Sequence, residues 1–244
     1  MIFRSFRTVH RLPHPGRPFV QGVDIDRGTI WESTGRYGRS TLRQVDATDG
    51  SVLWSGRLPD ELFAEGICLV GDVLWQLTWR EGVALRWRLR DMAYDRVPYD
   101  AEGWGMCFTG TDVVTSDGSD RLTLRDPEDL RSHRTVSVRI GDRPASALND
   151  LTWAEGVLWA VVHGTPYILG IDLADGRVCG WTDASDMRRD ELPITAHVMN
   201  GIAALPGTDH FLLTGKHWRS LYEVEPRPIP PPRWARLEGL GTSF

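Results

Sequence analysis

The sequence predicts an all-β, five-bladed β-propeller, and three observations predict it. One hairpin pattern recurs five times along the chain. The segments between its copies hold further strand pairs, several joined by Asp-Gly turns. Eleven Trp and 25 Gly in 244 residues suit aromatic-faced strands and tight turns better than long helices.

Each copy runs from a polar or aromatic residue, usually followed by Gly, through a strand, a Gly/Asp turn and a second strand to a polar or aromatic end. The copies are Gln21-Gly22 to Thr34, Glu65-Gly66 to Trp79, Trp104-Gly105 to Gly118, Asn149-Asp150 to Gly164, and Asn200-Gly201 to Lys216. Counted on Gly22, Gly66, Gly105, Asp150 and Gly201, the steps are 44, 39, 45 and 51 residues. A four-stranded propeller blade takes roughly 40–45 residues, so five copies imply five blades. Between copies, Ser40 to Ala47 alternates, turns at Asp49-Gly50 and resumes at Val52-Leu53-Trp54. Ile168 to Leu173 turns at Asp175-Gly176 and resumes at Val178 to Trp181, the same short-range hairpin signal. Asp120 to Leu124 with Thr135 to Ile140 is a longer-looped pair, and Ser185 to Leu192 is polar with room for one helical turn.

The first residue after each leading pair is apolar: Val23, Ile67, Met106, Leu151 and Ile202. The next is small: Asp24, Cys68, Cys107, Thr152 and Ala203. That alternation is what a crowded innermost strand needs when one side packs on its neighbour. Beyond Val224, five prolines within residues 225–233 predict an extended strap. The chain therefore divides into one propeller domain over 1–224 and a Pro-rich strap and tail over 225–244. Residues 1–18 either supply a strand to the last blade or lie across its edge.

Lys and Arg number 28 and Asp and Glu 33, a net charge of −5 without long runs of one sign. A nucleic-acid groove or an electrostatic membrane anchor is not expected from that balance. Cys68, Cys107 and Cys179 are odd in number, widely spaced and without a CxxC pair, so they read as reduced, buried residues. No segment approaches the ~20 apolar residues of a membrane span, and the first ten residues lack a signal-peptide core. As written, the expectation is a cytoplasmic monomer; a start placed downstream of a real signal would make it secreted or periplasmic.

In a propeller, the loops leading into the innermost strands and those trailing the second strands open on one face. The leading set is Gln21, Glu65, Trp104, Asn149 and Asn200, and the trailing set is Glu32, Trp79, Asp117, His163 and Lys216. Single loop residues of these types commonly satisfy local backbone. Ten of them aimed at one mouth describe a site, and Glu65 is the one carboxylate in the leading set.

The motifs that line this mouth are Phe19-Val-Gln-Gly22, Glu32-Ser-Thr-Gly-Arg-Tyr-Gly-Arg-Ser40, Phe63-Ala-Glu-Gly66, Gln76-Leu-Thr-Trp79, Glu102-Gly-Trp-Gly105, Ser116-Asp-Gly-Ser119, Val198-Met-Asn-Gly-Ile-Ala203 and Thr214-Gly-Lys-His-Trp218. In this order they resemble the motif series of the plant-type and bacterial glutamine cyclotransferases, from about Phe19 to Val224. The resemblance implies a five-bladed propeller that converts an N-terminal glutaminyl residue of a peptide or protein into pyroglutamate, releasing ammonia without a catalytic metal. It also implies a working set of Gln21, Glu65, Trp79, Trp104, Asn149 and Lys216. Two places depart from the pattern. Asn149-Asp-Leu-Thr152 stands where the family has Asn-Glu-Leu-Glu, and Ala160-Val-Val-His163 where it has Ala-Asn-Val-Trp. These bear on substrate fit more than on fold.

The residue types support that chemistry. Glu65 is the expected proton shuttle; Lys216, Gln21 and Asn149 are donors for an oxyanion or for substrate carbonyls; Trp79, Trp104, His163 and Asn200 complete the substrate site. Each has a plainer counterpart. Glu65 and Lys216 could be a structural ion pair, the two Trp inter-blade packing, Asn149 a loop cap, and His163 a packing replacement for the missing Trp. No His, Asp, Glu cluster has metal-ligand spacing, since Pro13 separates His10 from His14; a structural calcium on loop carbonyls would leave no sequence trace. Two rival functions remain: a catalytically silent propeller that binds peptide amino termini, and a calcium-dependent sugar-lactone hydrolase, which five copies rather than six disfavour.

Overall fold

The computed structural model describes residues 1–191 and 198–237 and shows an all-β, propeller-like fold. A long first strand, β1 (Ile2–Pro13), precedes a four-stranded antiparallel meander of β2 (Val20–Asp26), β3 (Thr29–Thr34), β4 (Thr41–Asp46) and β5 (Val52–Arg57). The same meander follows in β6 (Ala64–Val70), β7 (Val73–Thr78), β8 (Val83–Arg88) and β9 (Ala93–Pro98). It recurs in β10 (Met106–Phe108), β11 (Val113–Ser116), β12 (Arg121–Arg125) and β13 (Ser132–Ser137). A small hairpin, β14 (Arg139–Ile140) and β15 (Arg143–Pro144), leads to β16 (Leu148–Ala154), β17 (Val157–Val162), β18 (Tyr167–Ile171) and β19 (Val178–Asp183). A short helix, α1 (Ser185–Asp190), then β20 (Met199–Ala204), β21 (Phe211–Gly215), β22 (Ser220–Pro228) and a last turn, α2 (Arg233–Leu237), complete the described chain. The helical turn expected near 185–192 is α1; Leu192, like the tail beyond Leu237, lies outside the described residues.

The N-terminus supplies a strand. β1 pairs antiparallel with β22, from Arg4 opposite Pro228 to Pro13 opposite Ser220, and parallel with β19, from Ile2 opposite Gly180 to Ser5 opposite Asp183. It thereby fuses β16–β19 and β20–β22 into one eight-stranded sheet. β22 continues past the expected boundary at Val224 to Pro228. Its prolines are tolerated because residues 225–228 pair only with β1, while β21 pairs with Phe211 opposite Val224 and stops there.

The core is divided into clusters that each lie between neighbouring meanders. Trp31, Leu42, Ile67 and Trp87 fill the joint between the first two, and Cys68, Trp75, Met106 and Val113 fill the next. The innermost strands therefore keep one edge unpaired. Their small polar residues close that edge: Asp24 accepts the Leu69 N–H at 2.8 Å, Asp150 the Ile202 and Val23 N–H groups at 2.9 and 3.3 Å, and Thr152 the Ala204 N–H at 2.9 Å. Asp150 and Thr152, two departures from the motif series this chain resembles, thus serve strand edges.

Candidate active site

At one end of the inner strands, the ladder is broken in the same way four times. Ala64 pairs with Thr78 and Ile67 with Gln76, so Glu65 and Gly66 together oppose Leu77. Equivalent shifts fall at Gln21, at Asn149-Asp150 and at Asn200-Gly201. A bulge turns a side chain out of the regular alternation, which is how these leading residues leave the sheet face. The glycines follow from crowding. A Cβ on Gly22 would stand 2.8 Å from Gly66 Cα, and one on Gly66 would stand 2.7 Å from Gly105 Cα. The inner strands touch backbone to backbone at this level.

The trailing residues are fixed by one repeated bond. The N–H groups of Trp79, His163 and Lys216 donate to the carbonyls of Phe63, Ala147 and Val198 at 2.9, 2.8 and 2.8 Å. In the first meander the equivalent bond runs from Gly35 to Phe19 at 2.9 Å. Gly35, not Glu32, is therefore the first trailing position, and a Cβ there would meet the Phe63 ring at 2.4 Å and Gln21 Cγ at 2.9 Å. Glu32 lies inside β3, fully buried, where His14 Nε2 and Arg43 Nη1, the latter at 2.8 Å, donate to its two oxygens. Asp117 accepts the Ser119 N–H at 2.9 Å in its own turn. Neither lines the mouth.

What does line it is a cavity of about 260 Å³ bounded by Phe19, Gln21, Phe63, Glu65, Trp79, Trp104, Asn149, His163 and Lys216. Seven of the eight site residues expected from the sequence are gathered here. Asn200 is the exception. It is buried behind Gln21, and its Nδ2 donates to the Gln21 carbonyl at 3.2 Å and to Gln21 Oε1 at 3.1 Å. Phe19 and Phe63, absent from the expected set, form the apolar lip; both stood inside the quoted motifs. A larger cavity of about 470 Å³ opens at the other end of the inner strands, around Asp24, Met106, Cys107 and Thr152, and holds none of these groups.

Glu65 is 6% exposed, and Gln21 Nε2 donates to its Oε1 at 2.6 Å. Among the described residues Oε2 has no protein donor. Burial lifts the Glu65 carboxyl well above the ordinary range; Lys216 pulls it down, while Asp150, Glu102 and Glu81 add to the rise. Burial lowers the Lys216 pKa, and the charge of Glu65 partly restores it. The two form no ion-pair contact among the described residues; Lys216 Nζ instead sits 4.8 Å from the centre of the Phe19 ring. His163 stands edge-on to Trp104, with ring centres 5.4 Å apart, and its Nδ1 accepts a bond from Asn149 Nδ2 at 3.1 Å. Burial, then Lys216, lowers its pKa, which leaves a neutral imidazole with Nε2–H as donor. Asn149 thus orients His163. Such a cavity can bind a flat, short, polar group, take a proton at Glu65 and present cationic and neutral donors to a developing negative charge.

A protein-family model described as glutamine cyclotransferase matches residues 3–225. The glutaminyl-peptide cyclotransferase of Arabidopsis thaliana is 31% identical over 229 residues, which is 91% of this chain and 71% of the plant protein. The crystal structure of Myxococcus xanthus glutaminyl cyclase superposes with a TM-score of 0.87 at 33% identity, covering 93% of this chain and 99% of that one. Hydrazine synthase of Kuenenia stuttgartiensis, at 13% identity and a TM-score of 0.52 over 83% of this chain and 57% of its own, shares the fold alone.

Proposed function

The chain belongs to the glutamine cyclotransferase family, and on that premise we propose how its cavity turns an N-terminal glutaminyl residue into pyroglutamate. The activity is that of a glutaminyl-peptide cyclotransferase. The substrate's α-amine attacks Cδ of its own side-chain carboxamide, so the nucleophile arrives tethered and the cavity has mainly to hold the folded conformer. A free α-amine titrates near ~8, so part of it is already neutral at working pH. As the N–Cδ bond forms, the amine nitrogen gives its proton to the free oxygen of Glu65, and negative charge gathers on the former carboxamide oxygen. Lys216 and the His163 N–H face that charge. Glu65 then returns the proton to the departing nitrogen, the Cδ–N bond breaks, and ammonia leaves with the ring closed.

The observation that carries this reading is the state of Glu65: buried, lining the cavity, held by one neutral amide, and left with one oxygen that takes no protein donor among the described residues. Its raised pKa brings acid and base forms nearer the working range, which suits a group that must both take and give one proton. The indoles of Trp79 and Trp104 would flank the substrate side chain, and Gln21, steadied by Asn200, would fix the shuttle. Every step is assigned to a side chain, so the proposed reaction is metal-independent. The ring is read as five blades: β2–β5, β6–β9, β10–β13, β16–β19, and β20–β22 completed by β1.

Incubating a Gln-initiated peptide with the protein and measuring ammonia tests the reading. Release that survives a chelator and collapses in Glu65→Gln supports it. Full release from Glu65→Gln would overturn the shuttle, and absent release with retained peptide binding would mark a silent binder.

A further inference from the structure

The two indoles that wall the cavity come from different meanders, and one carboxylate joins them. Trp79 Nε1 donates to Glu102 Oε1 at 2.6 Å, and Trp104 Nε1 donates to the same oxygen at 3.1 Å. Arg80 Nε lies 3.3 Å from Glu102 Oε2, and its guanidinium stacks 3.9 Å from the centre of the Trp79 ring. The chain is shaped to allow this. A Cβ on Gly103 would strike the Thr78 carbonyl at 2.4 Å, so the segment can lie across the end of β7 only as glycine; a Cβ on Gly118 would meet the Trp104 indole at 2.7 Å. Burial alone would push the Glu102 pKa up, but bonds from Trp104, Arg80 and Trp79 hold it below the ordinary value. Glu102 is thus a charged acceptor placed outside the cavity and behind both walls.

We propose that Glu102 is a positioning residue for cyclisation, a tether that sets the separation and tilt of the Trp79 and Trp104 indoles and so the grip on the glutaminyl side chain. It rests on the cavity being the substrate site. A hydrogen bond to an ionised acceptor is among the stronger ones, and two indoles sharing it move together. Without it neither indole N–H would have its acceptor, and the rings would be held by stacking and packing: Arg80 and Phe63, the latter with its ring centre 5.6 Å away, for Trp79, and His163 for Trp104. The walls act on the bound side chain before and during ring closure, so loosening them should show mainly as weaker binding.

Steady-state kinetics on a Gln-initiated peptide test this. Glu102→Ala is expected to raise KM roughly tenfold with kcat within about threefold, the size of one lost charge-assisted hydrogen bond. Glu102→Gln keeps an acceptor oxygen and should return KM to within about threefold of the parent. Trp79→Phe keeps an aromatic wall but loses the donor. Combined with Glu102→Ala it should add less than about twofold, because both changes remove one tether. An unchanged KM in Glu102→Ala, equal losses in the Ala and Gln variants, or full additivity with Trp79→Phe would each overturn the tether. Unchanged kcat and KM when Glu65, Lys216 and Trp104 are each replaced by Ala would instead remove the substrate-site reading itself, so the two failures are told apart.

Discussion

Glu32 and Glu65 both belong to inner hairpins and are both withdrawn from water, at 0% and 6% exposure, yet they are held in opposite states. Burial pushes both pKa values up. Around Glu32, His14 and Arg43 claim both oxygens and bring the carboxyl below its ordinary range. Around Glu65, one neutral amide donates and Lys216 acts without contact, so burial prevails. The difference teaches that donor count, not depth, separates a carboxylate that braces the fold from one that can carry a proton.

The comparison is broken most directly at Glu65. Glu65→Gln keeps the shape and loses the shuttle, so kcat should fall about 10²- to 10⁴-fold with little change in thermal midpoint, measured by ammonia release and calorimetry. The mirror change is Glu32→Ala, which leaves the Arg43 charge and His14 buried without their carboxylate, Arg43 keeping the Pro15 carbonyl and His14 the Thr214 hydroxyl. It should cost about 3–5 kcal/mol in denaturant unfolding, with per-molecule activity retained where the protein stays folded. A third test strikes the crowded level beneath the site. Gly66→Ala must push Gly105 aside and should cost about 1–3 kcal/mol, far more than an alanine at an open turn such as Gly110 would through crowding.

Acid sharpens the contrast. A base must be ionised, and Glu65 has a raised pKa, so kcat/KM should decline on the acid side above the ordinary Glu value of ~4.3. Glu32 has a depressed pKa. Its contribution to stability is fully present above the unfolded value and is lost only as pH falls through the lower folded one. Activity should therefore fade, reversibly, at a higher pH than Glu32's brace, and coincident losses of activity and ellipticity would erase the distinction. The smallest effect is expected at His163. Replacing it by Ala removes one of the two donors facing the developing charge while Lys216 remains, so kcat measured by ammonia release should fall about 10-fold, the size of one neutral hydrogen bond.

Much of this was legible because a propeller writes its period into the chain. Gln21, Glu65, Asn149 and Asn200 each precede a Gly or Asp in a bulge, and the polar-Gly pair is what a bulge at a crowded inner strand requires. The misplacements share a cause: the spacing locates a residue along the strand, not the face it takes. Glu32 looked equivalent to Trp79, but the repeated backbone bond assigns that place to Gly35. Asn200 occupies a leading position yet is spent behind Gln21. Glu102 stood in a quoted motif, but only the fold shows two indoles turning their N–H groups to it. Likewise, five prolines announced a strap, whereas pairing on one side alone lets β22 pass through the first of them.

The position of β1 has a consequence for how the molecule is made. β1 pairs with Ser220 to Pro228 and with Gly180 to Asp183, partners about 175 to 225 residues further along the chain. Until the last sheet exists, β1 and the outer edge of β19 are both open strands of the kind that other chains can capture. Ring closure is thus a late, long-range step, and folding should be slow for a protein of this size. A refolding phase abolished by deleting residues 1–12 would identify it. Yields should depend on chain concentration during that interval, when two half-closed molecules can exchange first strands.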